Sequence, residues 1–85
     1  MTVKFAIPMQ APASGRGTPQ DPWRPKYLRE TSGIRRWSMI TDRSRALVTI
    51  EDADESALAQ LRAQPDVREL SDNEAAQMRV RILGV

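Results

Sequence analysis

The amino-acid sequence predicts a small α+β domain, an antiparallel sheet with one or two helices on one face, carrying an extended proline-rich arm near its amino terminus. Three observations predict it. Apolar and polar residues alternate in several short stretches, an apolar stripe at helical spacing follows the middle ones, and five prolines fall within residues 8–25. With 85 residues the chain makes one domain. A domain of this size buries only about 60% of the surface its unfolded chain exposes.

Val3, Phe5 and Ile7 alternate with Lys4 and Ala6, the period of a half-buried strand over residues 1–7. Pro8 lacks a backbone donor, so it ends that strand or confines it to a sheet edge. From Pro8 to Pro25 the chain adds Gly15, Gly17 and small polar residues to its prolines. Each interior proline removes a helical donor and clashes with the preceding turn, so extended and polyproline-like conformers are expected. The arm has few apolar groups to bury, and it is expected to be mobile in the free protein and ordered only against a partner. Lys26 to Glu30 can form a short helix opening near Pro25 and closing near Gly33, or continue extended.

Trp37, Met39 and Thr41 alternate with Ser38 and Ile40, Asp42 to Arg45 is a polar turn, and Ala46 to Ile50 resumes a β-branched run. This predicts a hairpin of two antiparallel strands between Arg36 and Glu51. Asp52 and Glu55 have the spacing of a capping box, and the helix it opens carries Ala57, Leu58 and Leu61 on one stripe. Pro65 stops that helix, because the residue before a proline is pushed out of helical space. Val67 to Leu70 reads as a short strand, and Ser71 with Glu74 repeats the capping-box spacing before Ala75-Ala76. Met78, Val80 and Ile82 then alternate with Arg79 and Arg81, predicting a terminal strand with a basic outer face.

Strand, crossover, hairpin, helix and strand is the order of a ferredoxin-like sandwich, here an α+β domain over residues 26–85 joined to strand 1–7 through the arm 8–25. The expected core is Val3, Phe5, Ile7, Trp37, Met39, Val48, Ile50, Leu58, Leu61, Val67 and Leu70.

The chain has no cysteine and no histidine. Disulfides and thiolate chemistry are thereby excluded, and the commonest general base and metal ligand are missing. The remaining nucleophiles lie in no activating context, so no enzymatic activity, cofactor or small-molecule substrate is expected. Glu51, Asp52, Asp54 and Glu55 group hard oxygen ligands but lack the glycine turn and distal glutamate of a calcium loop, which favours a solvated helix start. Gly15-Arg16-Gly17 lacks the lysine and hydroxyl residue of a phosphate-binding loop. No apolar run approaches the length of about eighteen residues that a membrane span requires, and the apolar stretch before Pro8 is too short for a secretory signal core.

The net charge of +2 conceals a division, since residues 1–45 hold nine Lys and Arg against three Asp and Glu, and residues 46–85 hold four against eight. Either one face meets an acidic partner, or copies dock basic half to acidic half, or folding interleaves the halves and removes the division from the surface. Arg24, Lys26, Arg29, Arg35, Arg36, Arg43 and Arg45 accompany Trp23, Tyr27 and Trp37, an alternation used by single-stranded nucleic-acid binders. The acidic half favours a protein partner instead. Trp23, between Pro22 and Arg24-Pro25, is either an anchor on the arm or a lid folded over the sheet. The candidate partner interface is therefore Met9, Arg16, Trp23, Arg24, Lys26, Tyr27, Arg35, Arg36, Arg79 and Arg81.

The stretch Ala46 to Ile50, then Leu58-Ala59-Gln60-Leu61-Arg62, Pro65-Asp66-Val67 and the residues to Asp72, resembles the carboxy-terminal half of the subtilisin-propeptide-like inhibitor family. This resemblance implies a serine-protease inhibitor or folding chaperone acting through a carboxy-terminal tail, whereas here Ser71 onward continues into a helix and strand. Pro25-Lys26-Tyr27, Gly33 to Ile40, Ala46-Leu47-Val48 and Ala57 to Val67 are similar to small proteins found among the structural genes of tailed bacteriophages. That resemblance implies an accessory virion component of the head, head-to-tail connector or tail, assembled in the host cytoplasm against other virion proteins and copies of itself. The basic run carries a third expectation, a small nucleic-acid-binding regulator.

Overall fold

Strand β1 (Val3–Gln10) organises the sheet because both of its edges are paired. In the computed structural model, which describes residues 2–12, 15, 17–20, 22–42 and 44–84, it is followed by β2 (Arg24–Pro25), β3 (Ile34–Thr41), β4 (Arg45–Ala53), α1 (Glu55–Arg62), β5 (Arg68–Leu70) and α2 (Asp72–Leu83). On one side β1 pairs antiparallel with β4, from Val3 opposite Ile50 to Pro8 opposite Arg45, and β4 pairs antiparallel with β3. A strand has two edges, so β5, opposite Lys4 to Ala6, and β2, opposite Met9 and Gln10, share the other. The hairpin, the following helix and the short strand form as the sequence predicts.

The first strand does not end at Pro8. The Pro8 carbonyl accepts from the Lys26 backbone N–H at 3.0 Å. The proline nitrogen points to the same edge and cannot return the reciprocal bond to Lys26, and β2 ends there, at Pro25. The proline-rich segment is thus tied into the sheet at both ends, through Met9 and Gln10 and through Arg24 and Pro25. Lys26 to Gly33 form turns rather than a helix. Tyr27 adopts a left-handed backbone (φ 73°) there, and Leu28 is driven into the core.

Alternate side chains of a strand point to opposite faces. On the first face, Phe5, Ile7 and Met9 of β1 join Ala46, Val48 and Ile50 of β4 beneath Ala57, Leu58 and Leu61 of α1. Leu28 and Val67 complete this core. Two predicted members do not belong to it. Trp37 is 39% exposed, because β3 is the outermost strand and the core centres on β1 and β4. Leu70 is opposite Lys4 and so faces the other side. Val3 and Met39 pack only against the rim.

The second face buries Ala6 and Leu47 against α2, whose Ala75 is buried and whose Met78 and Ile82 are half-buried. The helices therefore lie on opposite faces, correcting the expectation of helices on one face. Only Ser71 separates β5 from α2, so the chain turns directly onto the side where Leu70 points, the first face already being filled by α1 and Leu28. The predicted terminal strand over Met78 to Ile82 is helix. Its start follows the predicted spacing, Ser71 and Glu74 forming a complete reciprocal capping box, and Gly84 closes the helix in the left-handed conformation (φ 71°). The other predicted box does not form, since Asp52 lies within β4 and Asp54 is the N-cap, without a side-chain cap bond. Among the described residues no helix is long and apolar enough to cross a membrane.

Candidate interaction surfaces

Folding brings the basic first half of the chain against the acidic second half. Lys4 meets Asp72 at 3.0 Å, Lys26 meets Asp66 at 3.6 Å, and Arg36 meets Glu51 at 3.1 Å. Arg35 bridges Asp52 at 3.0 Å and Asp54 at 2.9 Å, which raises its pKa through those hydrogen bonds and lowers that of Asp52. Occupation of Asp54 by Arg35 also explains why its carboxylate does not cap α1. Within the second half, Arg62 donates to both oxygens of Glu69 and approaches Glu55, and Arg68 pairs with Glu74. Each of the eight carboxylates in residues 46–85 thus meets a cation. The charge division in the sequence is largely removed from the surface. These pairs are exposed, and exposed pairs are individually weak.

The predicted interface residues consequently separate. Met9 is buried in the core opposite Pro25 and is no surface contact, because β1 carries it past Pro8 onto the inner face. Arg16 lies outside the described residues. Trp23 is half-buried against the core, with its ring beside Gly17, as a lid over the sheet would be. The Tyr27 hydroxyl donates to Asp66 at 2.7 Å, raising its own pKa and lowering that of Asp66. Lys26, Arg35 and Arg36 are engaged in the ion pairs above, and Arg79 and Arg81 project from α2 with no ion pair among the described residues.

Two concave surfaces result. The first is a groove of about 150 Å³ between Trp37 of β3 and the turn that follows β2, lined by Pro22, Arg24, Pro25, Leu28, Arg29 and Trp37. Its walls are apolar, its rim is cationic, and β3 ends the sheet without a further strand among the described residues. The second is a cleft of about 290 Å³ between α2 and the second sheet face, where Arg45, Arg68 and Arg81 meet Glu74, Met78 and Ile82, with Asp42 at its side. Asp42 closes the β3–β4 turn, accepting from the Ser44 and Arg45 backbone N–H groups and the Ser44 hydroxyl, and those bonds lower its pKa.

Sequence reasoning named Arg24 and Arg81 but missed their surroundings. Sequence places Trp37 in the core, Leu28 and Pro25 carry no periodic signal, and Arg68 and Arg81 line one cleft only because α2 is a helix folded onto the second face. Compared with protein-family models, characterised proteins and solved structures, the chain matches none.

Proposed function

We propose that this protein is a non-enzymatic binding component of a multi-copy assembly, an accessory protein of a tailed-phage particle in its head, connector or tail. The observation that carries the binding reading is the exposed Trp37 beside an apolar groove with a cationic rim on the outermost strand. Tryptophan and arginine are the residues that most often dominate protein interfaces, and an apolar pocket beside them accepts a partner's side chain. The open edge of β3 adds backbone groups to which a partner strand can bond. The particle assignment rests on the resemblance of Pro25-Lys26-Tyr27, Gly33 to Ile40 and Ala57 to Val67 to small phage structural proteins. Other virion proteins are favoured over copies of this chain as partners, because the second-half carboxylates that would complement its basic half are paired within the molecule.

The ferredoxin-like reading fits the order β3-β4-β1-β5, with α1 crossing between β4 and β5. In that reading the turns around Leu28 stand where a first helix would pack, and α2 is an addition on the opposite face. An inhibitor working through a free tail is disfavoured, since residues 72–83 form a helix against the sheet. A nucleic-acid platform is disfavoured by the half-burial of Trp23 and Tyr27 and the pairing of Lys26, Arg35 and Arg36.

Proteomic measurement of density-banded particles from cells that carry the gene tests the proposal. The chain is expected in the band at a fixed ratio to the major structural proteins, and Trp37→Ala is expected to be lost from it while the purified variant keeps its fold. Absence of the chain from the particles refutes the assembly reading, and normal incorporation of Trp37→Ala refutes the groove.

A further inference from the structure

The cleft between α2 and the second sheet face is separate from the Trp37 groove, and its chemistry points to one class of occupant. Three arginines reach it from three elements: Arg45 from β4, Arg68 from β5 and Arg81 from α2. Arg68 is neutralised by Glu74. The Asp42 Oδ1 is engaged by the turn it closes, accepting from the Ser44 and Arg45 backbone N–H groups and the Ser44 hydroxyl. The Arg45 and Arg81 side chains have no ion pair among the described residues, one standing on the sheet wall and the other on the helix wall. Two guanidinium groups on facing walls offer paired planar donors, which match the two oxygens of a carboxylate.

The rest of the cleft narrows the choice. Met78 and Ile82 supply an apolar surface beside the cations, so the occupant carries methylene or apolar groups next to its charge. The volume of about 290 Å³ lies at the lower end of the range for whole small-molecule ligands, and it suits one or two side chains. A nucleic-acid strand brings a charge with every nucleotide, whereas the cleft offers two cations without an ion pair among the described residues, beside the apolar Met78 and Ile82, which suits a single carboxylate with apolar neighbours. We infer that this cleft binds an acidic, partly apolar segment of a partner protein, with one carboxylate held between Arg45 and Arg81. A second copy of the chain is a poor donor of that segment, because each carboxylate of residues 46–85 already meets a cation in its own molecule.

The test is a titration of the full chain with a blocked peptide of alternating glutamate and leucine, followed by NMR of the arginine side-chain N–H signals. The Arg45 and Arg81 signals are expected to move saturably, with no such response to the lysine and leucine counterpart. Arg45→Gln and Arg81→Gln should each weaken binding about tenfold or more, the consequence of losing a charge-assisted hydrogen bond, with unchanged urea midpoints. Arg79→Gln, on α2 but outside the cleft, should change it less than about twofold. Absence of a saturable shift overturns the inference, as does equal weakening by Arg79→Gln. Saturation of the same signals by inorganic phosphate at lower concentration, or tighter binding of a single-stranded oligodeoxynucleotide, overturns it in favour of a phosphate site.

Discussion

Leu61→Ala gives the most direct test of the packing. Leu61 has no exposed surface, and Phe5, Ile7, Val48, Ile50 and Leu58 of the same core are equally enclosed. The substitution removes three carbon groups, and at about 0.8 kcal/mol each their transfer alone accounts for roughly 2.4 kcal/mol. A cavity lined by rigid β-strand side chains collapses poorly, so the total should fall within about 2–5 kcal/mol. A domain of this length is stable by only about 4–13 kcal/mol. The variant should therefore melt at least about 8 °C lower, at about 4–8 °C per kcal/mol. Urea unfolding is the assay, with the midpoint displaced and the slope retained. Val80→Ala, on the exposed side of α2, serves as the control and should lie within about 0.5 kcal/mol of the parent. A loss below about 0.5 kcal/mol for Leu61→Ala would refute the placement of α1 over the β1–β4 face.

Four further outcomes are expected. Gly33→Ala should destabilise by roughly 1–3 kcal/mol in the same assay, because φ is 94° there and a Cβ would sit 2.9 Å from Asp54 Oδ2. Ser71→Ala should cost about 1 kcal/mol by opening the capping box of α2, and Ser71→Asp should retain most of that stability. Asp42, Asp52, Asp66 and Glu69 are held below the ordinary carboxylate range by their hydrogen bonds to Ser44, Arg35, Tyr27 and Arg62 respectively. The native state then binds fewer protons than the unfolded chain, so the urea midpoint should be level from pH 7 to 5.5 and decline below about pH 4; decline already above pH 5.5 would contradict it. Gln10 and Arg24 are cross-strand partners, so replacing residues 11–22 by Asn-Gly, which with Trp23 leaves a three-residue connection, should yield a folded domain that no longer enters its assembly, and aggregation or an unfolded circular-dichroism spectrum would mean the segment belongs to the fold.

The hairpin, α1 and β5 were legible in the amino-acid sequence, because in residues 36–70 local preference and burial agree. Alternation, the Ala57, Leu58 and Leu61 stripe and Pro65 all act within a few residues of the positions they control. The start of α2 was legible in Ser71 and Glu74, but its course was not, because five residues of alternation from Met78 to Ile82 satisfy a strand period and no reading attaches to Gly84. Tertiary structure decided the rest. Whether Pro8 ends a strand depends on the edge its missing donor faces, and that edge exists only once β2 and β5 have docked. Trp37 occupies an inward position of a strand but is exposed because β3 is the outermost strand and, among the described residues, no helix covers it. The interface cations were legible as residues and illegible as a surface, since the carboxylates that neutralise Lys4, Lys26, Arg35 and Arg36 lie from fifteen to sixty-eight positions away in the chain. Coulomb attraction acts over a few ångströms in space whatever the separation in sequence, so only the folded chain decides which charges remain for a partner.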